Sequence, residues 1–202
     1  MGQTEITTIE ALEALYGTPS EASLAKVTPQ LTQSYKTWIA ESRFCVISTV
    51  GPTGVDGSPR GDVDPVVKIA DDKTLLLPDW RGNNRMDSLR NLVHDPRIAV
   101  MFMLVGSDLA LRVNGRAKIS TDPKLTLQFE QKGRHPKTVI VITIEEVYAQ
   151  CSKAILRSDL WDAESQSDGM PTLGQMVKDA KASFDADAFD AAWYERAKST
   201  LW

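Results

Sequence analysis

The chain has 202 residues, 42% hydrophobic and 25% charged, enough for one substantial core or a core with appended helices. Its 27 acidic against 23 basic residues leave a net charge of −4, which argues against nucleic acid or an anionic membrane as a partner. No apolar run approaches the roughly 20 residues of a membrane span, and Met1-Gly2-Gln3-Thr4-Glu5 lacks the basic-then-apolar order of a secretory leader, so a cytoplasmic location is the expectation.

Residues 1–42 read as a helical preface. Thr7-Thr8-Ile9-Glu10 has capping-box spacing ahead of residues 11–15, and Gly17 and Pro19 stop that helix. A second helix is expected from near Thr28-Pro29, with Leu31, Tyr35, Trp38 and Ile39 as its apolar stripe. From Arg43 the pattern becomes short apolar runs between turns: 44–50, 66–69, 75–77, 98–105, 109–119 and 138–144. Six strands at this spacing predict an antiparallel barrel or sandwich, a mainly β fold with flanking helices. Two short helices interrupt them, one over Met86–Val93 with Met86, Leu89 and Val93 in phase, one near Asp122-Pro123. After Tyr148 the chain turns helical again, over 153–160, 172–182 and 186–201, with 162–168 as an exposed loop. The expected organisation is an N-terminal extension (1–42), a barrel (43–161) and a C-terminal extension (162–202).

Cysteine and histidine chemistry finds little footing. Cys45 and Cys151 cannot build a disulfide framework or a metal site, and Cys45 reads as a small core residue. His94 and His135 sit beside prolines in loop-like surroundings and belong to no metal or triad pattern. Dinucleotide, phosphate-loop, nucleophile-elbow and zinc-protease motifs are all missing from the sequence.

Arginines carry the signal. Pro78-Asp79-Trp80-Arg81-Gly82-Asn83-Asn84-Arg85-Met86-Asp87-Ser88-Leu89-Arg90 puts three of them at the junction of a strand and a helix. A helix start is the positive end of the peptide dipole, so cations there are repelled unless an anion sits between. A bound phosphate would supply that anion; ion pairs with Asp79, Asp87 and Asp95 are the competing reading. Upstream, Ser58-Pro59-Arg60-Gly61-Asp62 offers a second arginine that could cross to the strand ending at Asp79 and share the same anion, or else pair with Asp62 or Asp64. Leu111-Arg112-Val113-Asn114-Gly115-Arg116 places Arg112 and Arg116 on one strand face, unless Asn114-Gly115 forms a bulge. Lys153 and Arg157, four apart, line one face of a helix that also carries Ser158 and is otherwise read as solvated. Donors without an evident nucleophile or base suit a protein that holds a phosphorylated cofactor and leaves the reaction to it.

These motifs, Ser-Pro-Arg-Gly-Asp, Leu-Pro-Asp-x-x-Gly-Asn-Asn-Arg and Leu-Arg-Val-Asn-Gly-Arg, resemble those of a bacterial subgroup of the pyridoxamine 5'-phosphate oxidase-like flavin-binding split-barrel family, over residues 40–161. The resemblance implies a six-stranded antiparallel split β-barrel that forms a homodimer and binds FMN in clefts between subunits. It implies that Arg60 and Arg85 hold the FMN phosphate with Ser58 and Asn84 nearby. It also implies that Pro78, Asp79 and Trp80 lie along the ribityl chain or ring, that Arg112 approaches the ring or substrate space, and that Lys153, Arg157 and Ser158 close the cleft, from the partner subunit if not their own. The oxidase proper has an arginine-lysine pair where Asn84-Arg85 stands and a lysine near Pro65, and its substrate-phosphate residues have no counterpart here. Oxidation of pyridoxamine phosphate itself is therefore not expected. The expected function is an FMN-dependent oxidoreductase acting on a small molecule, with catalytic residues unassigned; the alternatives are a deazaflavin-dependent reductase or a non-catalytic flavin or haem carrier or sensor.

Overall fold

In the strands Phe44–Gly51 and Arg97–Met103, residues of one parity are buried and their neighbours are not, which is what a sheet with one face on a core requires. In the strand Thr74–Asp79, by contrast, Leu75 to Pro78 are buried in succession, with Leu76 and Val139 in a second cluster on the other face. The structure, a computed structural model, describes residues 5–162 and 168–202. Seven strands follow in order: β1 (Phe44–Gly51), β2 (Gly54–Gly61), β3 (Lys68–Asp71), β4 (Thr74–Asp79), β5 (Arg97–Met103), β6 (Ala110–Ser120) and β7 (Thr138–Gln150). They form a single antiparallel sheet in the order β2-β1-β5-β6-β7-β4-β3. The helices are α1 (Ile9–Tyr16), α2 (Glu21–Ala25), α3 (Gln33–Glu41), α4 (Asp87–His94), α5 (Pro123–Thr126), α6 (Lys153–Ser158), α7 (Leu173–Ala180) and α8 (Ala186–Ser199).

The sheet is curled. Cys45 and Ile47 of β1, Val100 and Phe102 of β5, Leu111 and Val113 of β6, Ile140 and Ile142 of β7, and Leu75 and Leu77 of β4 share one buried core. β2 and β4 lie five strand spacings apart in the sheet, about 24 Å at roughly 4.8 Å each if the sheet were flat, yet Arg60 of β2 reaches within 3.8 Å of Asp79 of β4. The architecture is the expected split barrel with one strand more than the six counted from sequence. The extra one is β2, an edge strand whose Gly-Ser-Pro-Arg-Gly composition hides it; an edge is where a strand proline is tolerated.

A bulge sets the phase of β7. Asn114 pairs with Glu146 but Gly115 pairs with Ile144, so Glu145 is the extra residue. Before it Ile140, Ile142 and Ile144 face the core; after it the buried residue is Val147. Two adjacent glutamates hid this extension, because without the bulge Glu146 would point inward. The bulge lies on β7 rather than on β6, so Leu111, Val113 and Ala117 stay inward and Arg112 and Arg116 keep a common face. A Cβ on Gly115 would lie 2.1 Å from the Thr143 carbonyl oxygen, so this rung admits no side chain.

The helices correct several expectations. Thr8 caps α1, accepting from the Ala11 amide at 3.2 Å, but α1 and α2 bury nothing, and α2 was not anticipated. α3 begins after Thr32, later than Thr28-Pro29. Thr28 is instead bridged to Val147, and the Leu31 amide donates to Asp72, so 28–31 serves as a strap across the sheet. In α4 the inward residues are Ser88, Asn91 and Leu92 with Leu89, whereas Met86 and Val93 are exposed. The expected 162–168 loop falls largely on residues 163–167, outside the described residues. Among the described residues no helix is long and apolar enough to cross a membrane.

Gly115→Ala should therefore lose about 1–3 kcal/mol in chemical denaturation. Gly57→Ala, on edge strand β2 with nothing within 4 Å of its would-be Cβ, should stay within about 0.5 kcal/mol of the parent.

Candidate functional site

Where the curled sheet brings β2 to the end of β4, a cleft of about 1300 Å³ opens. Its walls are β2 (Asp56, Ser58, Arg60), the end of β4 (Pro78, Asp79) with Trp80, the 81–86 loop, the first turn of α4, the 134–138 segment, and Leu201 with Trp202.

Arg60 organises the cleft. It pairs across the sheet with Cys45, whose side chain is inward, so the guanidinium is carried into the fold rather than into solvent. Its Nη1 donates to Ser58 Oγ at 2.5 Å and to the Pro59 carbonyl at 3.1 Å, and its Nη2 lies 3.8 Å from Asp79 Oδ1. Nε is buried with no hydrogen-bond partner among the described residues. Burial pushes the Asp79 carboxyl above its ordinary value and Arg60 only partly opposes this. Burial likewise drives the Cys45 thiol up to about 12 against the pull of Arg60. The sequence alternative, Arg60 paired with Asp62 or Asp64, does not occur. Asp62 Oδ2 accepts from Trp80 Nε1 at 2.7 Å, and Asp64 Oδ2 accepts from Gln131 Nε2 at 2.9 Å.

The 81–86 loop is held in an uncommon shape. Asn84 (φ 60°) and Met86 (φ 59°) both lie in the left-handed region, where a side chain meets steric resistance. The Arg85 amide donates to Asn83 Oδ1 at 3.0 Å, and Arg85 Nε donates to Asp87 Oδ2 at 2.9 Å. The Arg85 side chain is 75% exposed against 23% for Arg60. One guanidinium is thus deep in the cleft and the other is at its mouth, engaged with a helix-start carboxylate. Of the expected pairings with the loop arginines, Arg85 with Asp87 is formed, whereas Asp79 turns to Arg60 and Asp95 to Arg97. Ser88 Oγ donates to Asp56 Oδ2 at 2.5 Å and ties α4 to β2. Across β1, the Asn91 amide donates to Thr49 Oγ1 at 3.1 Å.

Seven of the residues expected at the site line this one cleft: Ser58, Arg60, Pro78, Asp79, Trp80, Asn84 and Arg85. Arg112, Lys153, Arg157 and Ser158 do not. Arg112 lies on the outer sheet face, paired with Tyr148 and 5.2 Å from its ring centroid. α6 is anchored by buried Ile155, and Ser158 donates to the Ile155 carbonyl. Thr138 at one end of β7 lines the cleft, while α6 follows the other end, about 40 Å of strand away at roughly 3.3 Å per residue. Within one chain α6 and the cleft therefore lie toward opposite ends of β7.

The sequence reading passed over Thr138, whose Oγ1 is buried without a partner among the described residues, and the cationic turn before it, Lys132-Gly133-Arg134-His135-Pro136-Lys137. The density of basic residues there was a usable signal. Trp202 lines the cleft, whereas Trp193 stacks on Phe189 at 5.7 Å. No cluster suited to a metal ion occurs among the described residues.

A family model described as pyridoxamine 5'-phosphate oxidase matches residues 31–151. Solved structures similar to the chain include HupZ of Group A Streptococcus (21% identity, 59% of this chain and 93% of that one, TM-score 0.49). They also include general stress protein 26 of Bacillus anthracis (18%, 56% and 89%, 0.42) and an FMN-binding protein of Syntrophomonas wolfei (17%, 70% and 92%, 0.43). No curated protein sequence matches significantly.

Because the Asp79 carboxyl is raised, the folded chain binds a proton there that the unfolded chain has already released. Between the ordinary carboxylate value and the raised one, stability falls as pH rises. Asp79→Asn should flatten that part of the stability-against-pH curve measured by urea denaturation, with the parent showing the steeper loss.

Proposed function

The chain belongs to the pyridoxamine 5'-phosphate oxidase family, and we propose that it is an FMN-binding oxidoreductase acting on a small molecule. The observation carrying this reading is the pair of buried side-chain atoms without hydrogen-bond partners among the described residues, Arg60 Nε and Thr138 Oγ1, which belong to residues lining one cleft. A buried donor left unpaired costs about 1–3 kcal/mol, a cost that a bound acceptor removes.

The donor set suits a phosphomonoester. Arg60 is pre-positioned by Ser58 and Asp79, so little side-chain freedom is lost when an anion binds. Arg85 can exchange its exposed contact with Asp87 for the same anion. Asn84 and Ser58 add polar groups beside it. Pro78 and Trp80 offer flat apolar surface for a ribityl chain or ring, and Trp80 is oriented by its bond to Asp62. The cleft exceeds the roughly 300–1000 Å³ typical of ligand pockets, which suits a cofactor together with a substrate. Bound there, a flavin would supply hydride or electron transfer; the residues of this chain hold the phosphate, orient the ring and narrow water access.

The partner is proposed to be a second copy. One outer rung of the sheet runs Pro59, Val46, Met101, Arg112, Tyr148. Beside it Phe44 is 39% exposed, as is Met101. A homodimer covering this face would remove apolar surface from water and could bring Arg112, Lys153, Arg157 and Ser158 toward the other subunit's cleft.

The absorbance spectrum of the purified protein tests the cofactor. Flavin bands are expected, with one FMN released per chain on denaturation. A colourless protein that takes up no FMN would favour the deazaflavin alternative, and bound FMN that no nicotinamide donor reduces would favour a carrier or sensor. Arg60→Ala should weaken FMN retention by about 10- to 150-fold and Arg85→Ala by about tenfold, as expected for hydrogen bonds to a charged group. Unchanged circular dichroism would show that the fold survives, and unchanged retention would remove the phosphate assignment.

A further inference from the structure

The cleft has a second cationic wall, which the phosphate-binding residues do not use. Residues Gln131 to Arg134 close a tight turn by reciprocal backbone hydrogen bonds of 3.0 and 2.9 Å. Lys132 (φ 52°) and Gly133 (φ 73°) fill its two left-handed positions, as in a type I′ turn. A lysine is held there against steric resistance, and such strain concentrates at functional sites. The turn is tied to the 62–65 segment by the bond from Gln131 to Asp64.

What the turn holds is informative. The Lys132 ammonium lies 4.7 Å from the centroid of the Trp202 ring, and Arg134 Nη1 donates to the main-chain oxygen of Trp202. A flat aromatic body is gripped through its face by one cation while an oxygen beside it is gripped by another. Arg134 and Lys137 form no ion pair with an Asp or Glu carboxylate among the described residues. Arg134, Lys137, Thr138 and Trp202 all line the cleft.

We propose that this wall is the substrate-recognition subsite, that Trp202 is its internal occupant, and that the substrate is a flat aromatic carboxylic acid. Its carboxylate takes the place of the Trp202 main-chain oxygen on Arg134 and its ring takes the place of the indole at Lys132. Trp202 is held by a single nitrogen of the Arg134 guanidinium, whereas a carboxylate free to turn takes two parallel hydrogen bonds from the same fork. Trp202 is displaced as the acid enters, so it screens the subsite against neutral compounds that bring no charge. The inference rests on the cofactor reading in that it assigns the other end of the same cleft to substrate.

Titration calorimetry with 2-naphthoate, on protein as purified, tests it without relying on flavin colour. The parent should bind 2-naphthoate, and Trp202→Ala should bind it about threefold tighter or more, because the indole no longer occupies the face of Lys132. Arg134→Ala, in either background, should bind about tenfold more weakly, as should neutral 2-naphthamide against the parent; Arg134→Lys should recover part of the loss. Flavin content should be the same in all these variants. Absence of binding to both parent and Trp202→Ala, equal affinity for acid and amide, or no effect of Arg134→Ala would overturn the proposal. Weaker binding to Trp202→Ala would overturn the role given to Trp202. Failure of the cofactor reading shows separately, as colourless protein or as FMN retention indifferent to Arg60→Ala.

Discussion

Curling the sheet brings two groups out of water that neither end of it can avoid: the Arg60 guanidinium on β2 and the Asp79 carboxylate at the end of β4. Desolvating an ion costs several kcal/mol, and mutual attraction offsets this only where geometry is good and the remaining donors are occupied. At 3.8 Å the pair is loose, Asp79 is pushed toward protonation, and Arg60 keeps one nitrogen unmatched. The closure of the barrel thus leaves positive charge incompletely answered at one place. Everything else in the cleft is arranged around that place: Ser58 steadies Arg60, Asp62 engages Trp80, and Ser88 pins α4 to β2.

The arrangement also explains why the cleft is rimmed by irregular backbone. Regular strands and helices supply the scaffold, but the groups that reach the opening come from the 81–86 loop and the 131–138 segment. Three of the four non-glycine residues at positive φ among the described residues, Asn84, Met86 and Lys132, lie on these two stretches. The backbone is strained there, an observation that supports the proposed site independently of any charge argument.

The sequence made some of this legible and hid the rest for identifiable reasons. β1, β5 and β6 were readable because burial on one face writes alternation into composition, β4 because burial on both faces makes it a continuous apolar run, and the sequence motifs located seven residues that the structure gathers in one cleft. β2 escaped because an edge strand buries little and tolerates proline, and the end of β7 escaped because one inserted residue reverses the parity on which the reading depends. Trp202 and Thr138 could not be assigned, since their importance comes from chain segments distant in sequence meeting in space. Arg112 and the α6 residues were joined to the site by family likeness alone, and β7 sets them toward its far end.

The contrast between the two cysteines has a practical consequence. Cys45 is enclosed and its thiol is driven to about 12, leaving almost no thiolate at neutral pH, whereas Cys151 is exposed just after β7. A maleimide fluorophore will therefore mark Cys151 alone. The unaltered protein carries a natural single-site reporter next to Lys153 and Arg157, positioned to register whatever approaches that end of the barrel.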